Sequence, residues 1–327
     1  MFSNYYSKIL RRFVFLSCVC SVGICVLMGQ ASPASSAQAS VASLPIFVIG
    51  QDIQSIEDFM GSLKRIPEDE GVSCPDGFMV YTAINDLRGL SEAVDHGAGI
   101  NHADMLSQQY PQMSIIQIGL YMKYMLGEVA RGGLDENIER LGRWIIRSGK
   151  DVYLRIGYEF DNPDNQYHPD DYIQAYRHIV DYLRSMNVDN VQFVWHSIAW
   201  CDAQWPAYDP GQWYPGDDYV DWVGLSFFDA QRDKERRLLT EFAESKGKPL
   251  MVAESSPFRQ YSLEEKQQWV RKLFEYIDES GVSFLSYINV DWDNLELFAG
   301  EKWGDARLER EEILMKEFLA RVSSWRR

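Results

Sequence analysis

Val152-Tyr-Leu-Arg-Ile-Gly-Tyr-Glu-Phe-Asp161 opens as an almost unbroken apolar run and closes on two carboxylates. Residues 152–156 read as a strand covered on both faces, because a half-exposed strand would alternate apolar and polar positions. The segment that follows changes period. Residues 170–184 place Tyr172, Ile173, Tyr176, Ile179, Val180 and Leu183 at spacings of three and four, one apolar stripe of a helix. Strand then amphipathic helix is one βα unit. Outward from it, further strands are predicted over 46–50, 78–82, 114–118, 191–196, 222–226, 250–253 and 283–288. Between them, residues 136–147 put Ile138, Leu141 and Ile145 on one side, and 311–322 read similarly. Ser262-Leu-Glu-Glu265 is a capping box whose helix aligns Trp269, Leu273, Phe274 and Ile277. Strand–helix alternation repeated eight times predicts an α/β fold, a (β/α)8 TIM barrel, as a single domain over residues 45–327. A doubly wound sheet is the alternative, and it lacks a Gly-rich first turn. No Pro/Gly/Ser-rich linker interrupts the region after residue 45.

Residues 1–39 read as a signal peptide and its cleavage region. Lys8, Arg11 and Arg12 precede an uncharged apolar run from Phe13 to Met28, and the small-residue stretch 31–39 follows. An uncleaved anchor is the alternative, although the run is near the short limit for spanning a bilayer. The protein is therefore expected to be secreted or periplasmic. Cleavage would leave 29 basic against 48 acidic residues, a net charge of −19. Such a chain repels phosphate backbones and anionic lipid, so no nucleic-acid or membrane partner is expected beyond the signal peptide. A monomer is expected.

Cys74 and Cys201 are the cysteines left after cleavage, and either a disulfide or two separate thiols fits them. His96, His102, His168, His178 and His196 are scattered, with no HExxH and no CxxC, so no metal or other cofactor is expected. Asp161-Asn-Pro-Asp-Asn165 has neither the glycine nor the terminal glutamate of a calcium loop and reads as a turn.

Barrel enzymes carry their working residues where strands end. Glu159 follows the fourth predicted strand, and Glu254, in Leu250-Met-Val-Ala-Glu254, closes the seventh. A lone glutamate after a strand is ordinarily solvated. Two facing the same barrel mouth suit acid/base and nucleophile chemistry at an acetal carbon. Arg155 lies an even offset before Glu159, on the same side of a strand, where it could hold a carboxylate or form a barrel-layer ion pair. His196, ending the fifth strand, is a candidate for sugar hydroxyls or a core histidine. Trp200, Trp205, Tyr208, Trp213, Tyr214, Trp292 and Trp303 crowd the regions after strands five and eight. Flat rings suit the C–H faces of pyranoses, and two or three of these are expected in the cleft, the rest being packing. Trp222, at a strand start, is structural.

The local motifs resemble glycoside hydrolase family 26, the endo-β-mannanase family of clan A. They are Arg155-Ile-Gly-Tyr-Glu-Phe160, Phe193-Val-Trp-His196, Trp213-Tyr-Pro-Gly-Asp-Asp-Tyr-Val-Asp-Trp-Val-Gly224, Lys248-Pro-Leu-Met-Val-Ala-Glu254 and Tyr287-Ile-Asn-Val-Asp291. The resemblance implies a retaining mechanism with Glu159 as acid/base and Glu254 as nucleophile. It implies a polysaccharide or oligosaccharide substrate, β-mannan first and β-xylan or β-glucan next. Arg155, Tyr158, His196, Trp200, Tyr287 and Trp292 are the candidate substrate contacts. Two positions depart from the family. Tyr158 stands where a histidine usually precedes the acid/base. Phe228 stands where a strand-six tyrosine usually bonds the nucleophile, a hydroxyl that Ser226 or Tyr287 could replace. Those departures keep open a non-catalytic carbohydrate-binding barrel. A metal-assisted hydrolase would need a His/Asp cluster, and strand one offers only Gln51-Asp52.

Overall fold

The computed structural model describes residues 45–66, 73–199 and 209–327. Eight strands run parallel: Ile46–Gly50, Gly77–Ala83, Ile115–Tyr121, Asp151–Ile156, Val191–Ser197, Trp222–Phe227, Leu250–Ser255 and Phe284–Ile288. They close in chain order, the first pairing with the eighth from Ile46 opposite Phe284 to Gly50 opposite Ile288. The predicted (β/α)8 barrel is the fold, and each predicted strand overlaps an observed one. Strands in such a sheet are covered twice, by the barrel interior and by the helices. The alternation inside the apolar runs shows this directly. Phe47, Ile49, Phe78, Val80, Ile116, Ile118 and Leu120 pack outward under the helices. Val48, Met79, Val194, Met251, Ala253, Phe284 and Ile288 fill the interior.

The outer helices are Ile53–Leu63, Ala103–Gln109, Leu126–Ala130, Asp135–Ser148, Pro169–Ser185, Asp233–Lys246, Leu263–Ser280 and Glu312–Trp325. The predicted capping box is formed: the Ser262 hydroxyl accepts from the Glu265 amide, and the Glu265 carboxylate accepts from the Ser262 amide. Losing such a cap costs ~1 kcal/mol. Its helix buries Trp269, Leu273, Phe274 and Ile277, each worth about 1.5–3 kcal/mol of apolar burial. Gly149, Gly247 and Gly281 end three helices in the left-handed conformation that other residues resist. An antiparallel ribbon, Val94–Asp95 with Ile100–Asn101, stands beside the barrel mouth after strand two. Among the described residues no helix is long and apolar enough to cross a membrane.

Candidate active site

The seventh strand carries Glu254 to the mouth of the barrel. A bulge against strand six, where Ser226 rather than the next residue in register pairs with Glu254, lies at the same level. Glu254 is 5% exposed, and Oε1 is bound from two sides. The Arg155 guanidinium donates through Nη1, and the Tyr81 hydroxyl donates at 2.8 Å. Arg155 is fully buried, so this ion pair is shielded from water and from salt. Tyr81 comes from the second strand. It supplies the hydroxyl that Phe228 lacks.

Glu159 is not on the fourth strand, which ends at Ile156. It sits in the turn beyond, with φ of 51°, and Gly157 has φ of 56°. Two left-handed residues flank Tyr158, so the even offset from Arg155 does not set the direction of Glu159. Gly157 is needed on steric grounds as well, since a Cβ there would lie 2.8 Å from Met122 and Tyr172. The strained turn is held by Asn165, whose Nδ2 donates to the Tyr158 and Glu159 carbonyls at 3.0 and 2.9 Å. The 161–165 segment is thus the predicted turn. Its Asp161 carboxylate accepts from the Ser197 hydroxyl at 2.6 Å and the Ile198 amide at 2.8 Å.

The Glu159 side chain is 2% exposed. Ser226 Oγ donates to Oε1 at 2.9 Å, and Asn162 Nδ2 donates to Oε2 at 3.0 Å. Burial first, and the negative charge of Glu254 second, push its carboxyl up to about 8. Two carboxylates at one mouth therefore have opposite surroundings. One is paired with a guanidinium, and the other is held as an acid near neutral pH.

A cavity opens over Glu254. Its walls include Tyr81, Tyr121, Tyr158, Trp292 and Phe298, with Gln51 and Asn101 as polar groups. Tyr158 packs edge-on to Tyr81 at 5.3 Å, and its ring faces the Arg155 guanidinium at 5.3 Å. Trp292 is fixed by its indole N–H, which donates to Ser256 Oγ at 2.9 Å.

Of the expected substrate contacts, Tyr158 and Trp292 line this cavity. Arg155 and His196 do not: both are fully buried beneath it. Arg155 holds Glu254, while His196 lies between Arg155 and Ser226, at 3.3 and 3.0 Å. Tyr287 faces the helices instead of the mouth. Its hydroxyl donates to the Ala306 carbonyl at 2.6 Å, and its ring packs 4.8 Å from Phe318. Neither expected substitute for the strand-six hydroxyl reaches Glu254, since Ser226 is bound to Glu159. Trp200, Trp205, Tyr208 and Cys201 lie outside the described residues, and Cys74 is an exposed free thiol. Trp213 and Tyr214 pack around Trp195 and Phe160 behind the mouth. Trp303 joins Phe228, Phe258 and Phe298 in an aromatic cluster. Trp222 packs on Tyr153 and Phe284. Tyr81, Tyr121, Gln51 and Asn101 were not singled out by the motifs. Tyr81 shares the inward parity of Met79, which was the signal available for it.

Residues 157–254 match the sequence model of glycosyl hydrolase family 26. The chain is 32% identical over 293 residues to a β-1,3-xylanase of a Vibrio species, covering 80% of this chain and 61% of that protein. The chain is thus similar to the glycoside hydrolases of family 26. A β-1,3-xylanase of an Alcaligenes species is 31% identical over 294 residues, 80% of this chain and 60% of its own length. The chain thus spans about three fifths of these curated relatives. Solved family 26 structures share the fold. A β-mannanase of Bacteroides ovatus superposes with a TM-score of 0.59 at 15% identity, covering 86% of this chain and 89% of that one. An endo-β-1,4-mannanase of Cellulomonas fimi gives 0.56 at 16% identity, covering 85% and 70%. The family 26 match spans both glutamates, and Tyr81 lies before it.

Proposed function

We propose that the protein is a secreted, retaining β-glycoside hydrolase that cleaves β-1,3-linked xylan, with Glu254 as nucleophile and Glu159 as acid/base. The observation that carries the chemistry is the opposed setting of two buried carboxylates at one barrel mouth. Glu254 is held on Arg155 and Tyr81, and Glu159 is kept protonated by burial and by Glu254. In the first step a Glu254 oxygen bonds to the anomeric carbon as the C–O bond to the leaving sugar breaks. The Glu159 proton passes to the departing oxygen. In the second step Glu159 takes a proton from water, the hydroxide oxygen bonds to the anomeric carbon, and the Glu254 ester bond breaks. Arg155 and Tyr81 keep the nucleophile oriented in both.

The substrate reading moves from β-mannan, favoured by the motifs, to β-1,3-xylan. Its support is the pair of β-1,3-xylanases at 31–32% identity, against 15–16% for the two mannanase structures, which carry the fold alone. Tyr158, in the place of the family histidine, lines the cavity over the nucleophile and fits a change of sugar there. The non-catalytic alternative drew on Phe228, and Tyr81 supplies the missing hydroxyl. Export rests on the basic and apolar pattern of residues 1–39.

The test is product release from β-1,3-xylan, β-1,4-xylan, β-mannan and β-glucan by wild type and Glu254→Ala. Release from β-1,3-xylan that disappears in the variant is expected, with the first-formed product in the β-anomeric form by NMR. Release from β-mannan alone would overturn the substrate, and a first-formed α-anomer would overturn retention.

A further inference from the structure

A chain of buried polar groups connects the two glutamates beneath the cleft floor. From Glu254 it passes to Arg155 on strand four, His196 on strand five and Ser226 on strand six, and it ends on Glu159. The distances are 3.3 Å from Arg155 Nη1 to His196 Nδ1, 3.0 Å from His196 Nε2 to Ser226 Oγ, and 2.9 Å from Ser226 Oγ to Glu159 Oε1. His196 is fully buried and Ser226 is 2% exposed.

The donor inventory gives this chain one direction. A guanidinium nitrogen can only donate, so Nδ1 of His196 presents its lone pair. The ring is neutral: burial, and then the Arg155 charge, hold it well below the usual imidazole range. Its single proton is therefore on Nε2 and is donated to Ser226 Oγ. Ser226 has one proton of its own, which goes to Glu159 Oε1.

We propose that His196 and Ser226 are positioning residues for acid catalysis, fixing Ser226 as a donor to Glu159 Oε1 so that the transferred proton is carried on Oε2. This rests on the reading of Glu159 as acid/base. When Glu159 is protonated, the oxygen that accepts the fixed hydroxyl is the carbonyl oxygen, and the other carries the hydrogen. Oε2 gives that hydrogen to the departing sugar oxygen and later takes one from water. Asn162 Nδ2 steadies Oε2 in both states, since a hydroxyl oxygen retains lone pairs. Glu254 from strand seven faces Glu159, while Arg155 on strand four and His196 on strand five reach it through Ser226. Asp161 and Tyr167 face it from the loop after strand four.

The experiment compares Ser226→Ala with wild type on an oligosaccharide, whose leaving alkoxide needs a proton, and on a 2,4-dinitrophenyl β-glycoside, whose leaving group departs without one. On the oligosaccharide kcat/KM is expected to fall about tenfold, and on the aryl glycoside less than about threefold. The alkaline limb of the oligosaccharide profile is expected to move to higher pH, because Glu159 loses a donor that favours its charged form. Ser226→Thr, which keeps the hydroxyl, restores both. Equal losses on the two substrates, or an unmoved alkaline limb, would overturn the proposal. Glu159→Ala is run beside it. If that variant fails to spare the aryl glycoside relative to the oligosaccharide, the acid/base reading itself falls. If it does spare it, the Ser226 result bears on the relay alone.

Discussion

At Glu159, burial and the charge of Glu254 act in the same direction, and both favour the protonated carboxyl that a general acid needs. With that group raised to about 8, kcat/KM is expected to hold through neutral pH and to fall as pH rises through about 8. A pH–rate profile checks this, and an alkaline limb below pH 6 would remove Glu159 from the acid role. The same shift acts on stability. The folded chain keeps a proton on Glu159 that the unfolded chain, near 4.5, has already lost, so folding loses free energy as pH rises from 4.5 toward 8. Glu159→Gln removes that loss. Its melting temperature should draw ahead of wild type across that window and stay level above it. A gap independent of pH would show that the carboxyl does not titrate there. Tyr81 is the other residue that decides the chemistry. A hydrogen bond to a charged group is worth about 1.5–3 kcal/mol, so Tyr81→Phe should lower kcat/KM by about tenfold or more while the fold persists. Steady-state kinetics on β-1,3-xylan provide the check. Unchanged kinetics would mean that Arg155 alone orients the nucleophile.

Among the elements, the turn from Gly157 to Asn165 does most to place the site, and it is the part least visible in the sequence. The strands were legible because each is a short apolar run between helical patterns, and burial on two faces leaves no other use for such a run. Glu159 was legible as a strand-end carboxylate, but its left-handed backbone was not, because only glycine announces that conformation. Tyr287 was misplaced, and His196 left between mouth and core, for a related reason. Position at a strand end says which end of the barrel a residue occupies, not whether it faces the mouth or packs beneath it. Tyr81 meets Glu254 across 173 residues of chain, and no local pattern encodes that contact. The turn can be tested through its brace. Asn165→Ala leaves the Tyr158 and Glu159 carbonyls without their donor in a buried, strained segment. The expected cost is about 1–3 kcal/mol of stability, with a fall in kcat as Glu159 loses its fixed direction. Urea unfolding and kinetics on the same preparation measure the two effects. Full activity with full stability would show that Gly157 alone sets the turn.

The molecule as a whole depends on closing its barrel between segments more than 230 residues apart. Strand one pairs with strand eight along its full length, and the last helix, Glu312–Trp325, lies over that seam. Phe318 is the residue that joins them. It is fully buried, 5.8 Å from Phe47 on strand one, 4.8 Å from Tyr287 on strand eight and 5.6 Å from Phe274 on the neighbouring helix. Arg326 adds an ion pair to Asp76 at 2.7 Å, drawing the chain end to the base of strand two. Truncating Phe318 to alanine removes a ring from three facing groups that the closed barrel cannot bring together to fill the gap. The expected loss is about 3–5 kcal/mol of unfolding free energy. Because Phe318 packs on the helix-facing side of the sheet and the site is built inside the mouth, KM and the order of preference among glycans should not change while the variant remains folded. Denaturant titration combined with kinetics at low temperature separates the two. A loss below about 1 kcal/mol would mean that closure is carried by the strand ladder alone, and a changed glycan preference would mean that the seam reaches the mouth.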